Sequence, residues 1–161
     1  MTDFEGLLRA LSDARVAFII VGGAAAVAHG SARLTQDLDV VYAREPDNLG
    51  RLVKAVAPLS PYLRGAPPGL PFRFDEDTLR RGLNFTLTTE LGDLDLLGEV
   101  TGGGGFDALR SHSVTLELFG LPCLCLDLPW LIRVKRAAGR PKDLESLAEL
   151  ELLLAARHAE G

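Results

Sequence analysis

The chain has 161 residues, 47% of them apolar and 24% charged, with a net charge of −5. That balance excludes a disordered segment, and the length suits one domain, residues 1–161, with a full core. The acidic total gives nucleic acid no whole-molecule attraction, though a local basic groove stays open.

Asp3 and Glu5 stand where a signal peptide would be basic. The longest apolar run, Val16 to Ala28, is too short for a bilayer and contains Gly22-Gly23. A cytoplasmic protein with no membrane contact is therefore expected. Cys123 and Cys125 lie two apart on an expected strand, where a bridge would be strained and other zinc ligands are missing. Both read as buried, reduced thiols.

Thr2 and Glu5 match a capping box for a first helix, with Phe4, Leu7, Leu8 and Leu11 as its apolar stripe. Val16 to Val21, rich in β-branched residues, reads as a buried strand ended by Gly22-Gly23. An alanine-rich helix follows and stops near Gly30; a second strand runs from Asp37 to Tyr42. Pro46 opens an amphipathic helix with Leu49, Leu52, Val53 and Val56 on one face. Pro58 to Pro71 reads as a loop, either a rigid connector or a surface for an acceptor substrate.

A helical turn at Thr78 to Arg81 precedes two strands, within Leu83–Thr89 and Asp93–Glu99. The glycine run after Glu99 reads as a flexible connector to a short helix around Phe106 to Arg110. A hairpin turning at Gly120 comes next. Then Leu128, Leu131, Ile132 and Val134 mark the inner face of a helix that Gly139 stops. Pro141 and Asp143 begin the last helix, apolar at Leu144, Leu147, Leu150 and Leu154. The sum is a mixed α/β (α+β) domain: a central, mixed, twisted sheet flanked by helices, with a helical C-terminal end.

Chemistry concentrates at Asp37-Leu38-Asp39. Positions i and i+2 of a strand share a face, so two carboxylates sit side by side at the mouth of an apolar strand. That arrangement is costly unless a cation lies between them, and a divalent metal fits. Asp93 and Asp95 repeat the spacing; Asp95 lies deeper in its strand between apolar neighbours, whereas Asp93 follows Gly92 and can finish a turn. Gly22 and Gly23 let backbone approach a ligand closely, and a helix start behind them favours an anion. Metal and phosphate together suggest a nucleotide.

An apolar strand, Gly22-Gly23, thirteen further residues and then Asp37-Leu38-Asp39-Val40 resembles the signature of the nucleotidyltransferase superfamily, the polymerase-β-like fold. Similarity is greatest to its small prokaryotic members, the minimal nucleotidyltransferases and AbiEii-type toxins, which also share His29-Gly30, Arg33 and Thr35. Many relatives carry Gly-Ser where this chain has Gly22-Gly23, which leaves backbone N–H groups to meet phosphate. The resemblance implies a third carboxylate on a neighbouring strand, and favours Asp95 over Asp93 for it.

It further implies two Mg²⁺ ions held by Asp37, Asp39 and Asp95, with an NTP such as ATP as substrate. Asp95 would serve the acceptor side and could take its proton. Arg133, Lys135, Arg136, Arg140 and Lys142 form a dense cationic set suited to a triphosphate. By the resemblance Lys135 contacts the triphosphate, joined by Arg140, while Asp143 orients Lys135 or Arg140 without binding metal. The plainer alternatives are basic residues at a helix C-terminus and Asp143 as a helix cap. Arg33 either meets a phosphate or pairs with an acid. Ser31 lacks a nucleophile elbow, and the glycines lack dinucleotide spacing, so neither a hydrolase nor a Rossmann reading holds.

The expected activity is transfer of a nucleoside monophosphate to a hydroxyl of tRNA, protein or a small molecule, as the toxin of a toxin–antitoxin pair in one version. An antitoxin or a second copy of the chain is the corresponding partner. The alternative is a non-catalytic nucleotide- or partner-binding module, for which three converging carboxylates have no evident use.

Overall fold

The computed structural model describes residues 1–160. Phe4–Asp13 (α1) is capped by Asp3, whose Oδ1 accepts from the Gly6 N–H at 2.8 Å, and not by Thr2. Tertiary contacts draw Thr2 away: its Oγ1 donates to the Gln36 carbonyl and accepts from the Asp93 N–H. The first strand starts later than expected, at Phe18–Val21 (β1), because Arg15 turns through a φ of 59° and the Val16 N–H returns to the Leu11 carbonyl. Every β1 residue is buried, as a central strand covered on both faces requires.

Gly22–Ala28 (α2) leads to Asp37–Tyr42 (β2), and Pro46–Val56 (α3) follows with proline in its first turn. The proline-rich stretch is not all loop. Tyr62–Leu63 (β3) pairs with the next long strand, a short edge strand that single-residue patterning does not reveal. Glu76–Arg81 (α4) then precedes the hairpin Phe85–Thr89 (β4) and Gly92–Leu97 (β5). The glycine run is likewise more ordered than a connector: Glu99–Val100 (β6) pairs with Gly104–Gly105 (β7) before Phe106–Arg110 (α5).

Ser113–Leu118 (β8) and Leu121–Leu126 (β9) form the last hairpin, and Leu128–Ala138 (α6) and Pro141–Glu160 (α7) close the chain. Gly139 stops α6 with a φ of 66°, the left-handed conformation that costs glycine nothing. Cys123 and Cys125 are free and buried. No helix among the described residues is long and apolar enough to cross a membrane.

The seven-stranded sheet runs β3-β4-β5-β2-β1-β9-β8. Pairs β2–β5 and β1–β9 are parallel and the rest antiparallel, so the sheet is mixed. Helices α1, α3 and α4 pack as one group and α2, α6 and α7 as another. Leu7, Leu8 and Leu11 of α1, Leu49 and Leu52 of α3, and Leu128 and Leu131 of α6 fill the core with the strands. On α7 the inward face is shifted from the expected leucine row. Leu147 and Leu150 are buried beside Asp143 and Ser146, while Leu144 is half exposed.

Asn48 ties α3 to the sheet from within the core. Its Oδ1 accepts from the Ala17 N–H at 2.7 Å, and its Nδ2 donates to the carbonyls of Ala17 and Ala43 at 3.1 and 2.7 Å. Asn48→Ala leaves those buried backbone groups without partners. It should cost about 2–3 kcal/mol, read as a fall in Tm of about 5–10 °C with little change in activity.

Candidate active site

The register of β2 against β5 assembles the acids. Asp37 stands opposite Asp93 and Asp39 opposite Asp95, all on one face, while Leu38, Val40, Leu94 and Leu96 point into the core. One oxygen from each of Asp37, Asp39 and Asp95 comes within 4.8 Å of the others. Asp93 lies outside that group, one step towards the strand mouth.

Such a cluster cannot hold three full negative charges unaided. Burial, the Asp95 carboxylate and the Asp37 charge together push the Asp39 carboxyl up to about 8. Asp39 Oδ1 is also buried with no hydrogen-bond partner among the described residues. An orphaned carboxylate oxygen facing two more carboxylates suits a hard divalent cation, which takes oxygen ligands and supplies the missing charge. The donor set fits Mg²⁺.

Gly22 also packs directly against the cluster. A methyl carbon there would overlap Asp39 Oδ2 and lie 3.1 Å from Asp39 Cγ, and the residue has a φ of +64°. The close approach is to the acid itself. A methyl carbon at Gly23 would lie 2.7 Å from Thr35 Oγ1. Both glycines line a cleft of about 260 Å³ beside Asp37 and Asp39. Lys135 and Arg140 form its far wall, and that wall also borders a second cleft of about 420 Å³ that reaches Asp39 from Asn84 and Glu99.

Asp143 organises the wall from the buried side of α7. Its Oδ2 accepts from Arg140 Nε at 2.6 Å, and its Oδ1 lies 3.8 Å from Lys135 Nζ. Burial pushes the Asp143 carboxyl up, but hydrogen bonding and charge from Arg140, with Lys135, outweigh it and hold the group below its ordinary value. The rest of the cationic set divides. Lys142 lines the first cleft, Arg133 stacks over Trp130 at 4.5 Å, and Arg136 pairs with Glu151 at 2.6 Å. Arg33 lies at the cleft, 3.9 Å from Glu149, and its Nη2 donates to the Glu145 carbonyl.

The same Glu149 accepts from Ser31 Oγ at 2.5 Å and from the Ala32 N–H at 3.1 Å, latching the loop that precedes β2. His29 is buried with Nε2 2.8 Å from the Leu126 carbonyl, and burial lowers its pKa. Neither residue is placed for nucleophilic work.

Arg64 is the site residue that local patterning missed. It follows β3, and its guanidinium reaches the acid face: Nη2 donates to Asp95 Oδ1 at 2.6 Å, and Nη1 lies 3.6 Å from Asp37 Oδ2. An arginine in a proline-rich stretch carries no signal of its own; only the pairing of β3 with β4 aims it.

No protein-family model matches the chain, and no curated protein sequence matches it. Solved structures do. A protein of Thermotoga maritima described as a "putative nucleotidyltransferase" superposes with a TM-score of 0.57 at 15% identity, over 92% of this chain and 94% of that one. The solution structure of the antibiotic-resistance factor ANT(2'')-Ia gives 0.55 at 18% identity, over 97% and 89%. A crystal structure of ANT(2'')-Ia in complex with adenylyl-2''-tobramycin gives 0.56 at 16%, over 97% and 95%. The chain, with its acids on neighbouring parallel strands of a mixed sheet, has the nucleotidyltransferase fold.

Proposed function

We propose that the protein is a Mg²⁺-dependent nucleotidyltransferase, moving a nucleoside monophosphate from an NTP to an acceptor hydroxyl. The convergence of Asp37, Asp39 and Asp95 within 4.8 Å, next to a cleft walled by Lys135 and Arg140, carries this reading. When bound, Mg²⁺ supplies positive charge to the triphosphate and makes the acceptor hydroxyl more acidic.

The chain's own groups then divide the work. Asp37 and Asp39 on β2 and Asp95 on β5 would hold the metal, and Asp95 would also receive the proton of the acceptor hydroxyl. The acceptor oxygen attacks the α-phosphorus, the bond to the bridging oxygen breaks, and pyrophosphate leaves. Lys135 and Arg140 meet the negative charge that builds on the leaving group, held in place by Asp143. Gly22 and Gly23 offer backbone N–H groups along the same cleft, and Arg33 stands at its rim.

The acceptor follows from an assay. Each α-labelled NTP, ATP first, is supplied with Mg²⁺ and tRNA, total cell protein or aminoglycosides such as tobramycin. Label in one fraction, lost in Asp39→Asn protein and on chelation, is the expected result. Nucleotide binding without transfer to any fraction would make the chain a non-catalytic binding module instead.

A further inference from the structure

Arg64 engages carboxylates that would hold a metal ion. Its guanidinium spans Asp95, at 2.6 Å, and Asp37, at 3.6 Å, two of the three acids whose oxygens converge. Mg²⁺ takes such oxygens at about 2.0–2.1 Å. Two cations within about 4 Å in a half-buried site repel strongly, because little water screens them. The guanidinium and a metal ion therefore compete for the charge of Asp95 and Asp37.

The surroundings give the guanidinium somewhere to go. Arg64 Nε is buried and has no hydrogen-bond acceptor among the described residues, yet Asp93 Oδ1 lies 3.4 Å away. Asp93 is outside the converging group, on the same face as Asp95 and two residues before it. A swing that closes Nε onto Asp93 frees Asp95 and Asp37 and also releases the bond that Nη2 donates to the Leu87 carbonyl at 2.7 Å. The backbone need not move, since the Arg64 N–H donates to the Thr86 carbonyl at 3.0 Å in continuation of β3.

We propose that Arg64 is a resident counter-charge that gathers the carboxylates before metal arrives and yields Asp95 and Asp37 to the ion by retreating onto Asp93. Metal loading is then an exchange of cations. Arg64 acts as a positioning residue, and Asp93 is its second partner. The inference rests on reading Asp37, Asp39 and Asp95 as metal ligands, so an Asp39→Asn control separates the two ideas.

The test uses Mn²⁺ as the probe, titrated into the whole chain and followed by electron paramagnetic resonance, with melting measured in EDTA and in Mn²⁺. Arg64→Gln should bind Mn²⁺ about tenfold more tightly than wild type, the effect of removing one charged competitor. It should melt below wild type in EDTA and match it in Mn²⁺; a purely structural arginine would lower both. Arg64→Gln binding no tighter than wild type, while Asp39→Asn has lost binding, overturns the counter-charge role and spares the metal site. Asp39→Asn binding like wild type overturns both. If Arg64→Gln stays unfolded even with Mn²⁺, Arg64→Lys decides. Lysine keeps a point charge but loses the fork that spans two carboxylates, so it should bind Mn²⁺ several-fold more tightly than wild type, and equal or weaker binding sinks the proposal.

Discussion

Asp39→Asn should abolish nucleotidyl transfer, by about 10³-fold or more, and at the same time stabilise the metal-free protein above neutral pH. The loss follows from charge. An amide cannot supply the carboxylate that a divalent ion needs between Asp37 and Asp95, and several kcal/mol of transition-state stabilisation go with it, at about 1.4 kcal/mol per tenfold in rate. The stability gain follows from linkage. Folding raises the Asp39 carboxyl to about 8 through burial and its acidic neighbours, against about 3.9 in the unfolded chain.

A raised folded pKa contributes stability in full below pH 4, and that contribution fades as pH rises through 8. Metal-free wild type should therefore lose stability across this window, while the Asn variant is spared this term. At pH 8–9 and in EDTA, the variant should melt about 2–6 °C higher, corresponding to about 1–2 kcal/mol. Saturating Mg²⁺ should raise the melting point of wild type and leave the variant where it was. Binding of Mg²⁺ to wild type should strengthen between pH 6 and 8, because the ion must displace a proton from Asp39. A variant that keeps full activity, or that melts lower than wild type at pH 8–9 in EDTA, contradicts this account of the acid cluster.

Gly22→Ala should be nearly as damaging to activity, although it changes no charge and no residue that touches phosphate through a side chain. Two costs coincide there. The backbone φ of +64° is strained by about 1–2 kcal/mol for any residue with a Cβ. The added methyl also overlaps Asp39 Oδ2, so either the carboxylate or the start of α2 must shift. A displacement near 1 Å at a carboxylate proposed to hold metal can cost about 10²-fold in rate. The expected result is a loss of that order with a Tm lower by about 4–8 °C. Gly23→Ala makes the control, since its methyl meets the Thr35 side chain and not an acid, so that Thr35 must rotate its hydroxyl away and shift by a few tenths of an ångström; the activity loss should be under about tenfold. Equal effects at the two glycines would show that Asp39 is not what Gly22 protects.

The counter-charge at Arg64 and the wall built by Asp143 show how differently two parts of one site were readable in the chain. Asp143 sits eight residues after Lys135 and three after Arg140, close enough along the chain for the family resemblance to point to all three together. Arg64 is 31 residues from Asp95 and touches it only because a two-residue edge strand pairs with β4. Short strands bury little, and their side chains carry no periodic signature. The cap of α1 was misread for a related reason: Thr2 and Asp3 both suit a helix start, and Thr2 was claimed by Gln36 and Asp93 from elsewhere in the fold.

By itself the amino-acid order determined the strands that carry carboxylates, the helices with apolar stripes and the paired glycines that end the first strand. These depend on periods of two and 3.6 residues and on backbone freedom, all properties of neighbours along the chain. The tertiary structure decided which oxygens converge, bringing Asp37, Asp39 and Asp95 together with Asp93 outside, and it placed Arg64 against the acids. Those outcomes depend on register between strands distant in sequence, where a slip of one residue would turn every carboxylate away from its partners.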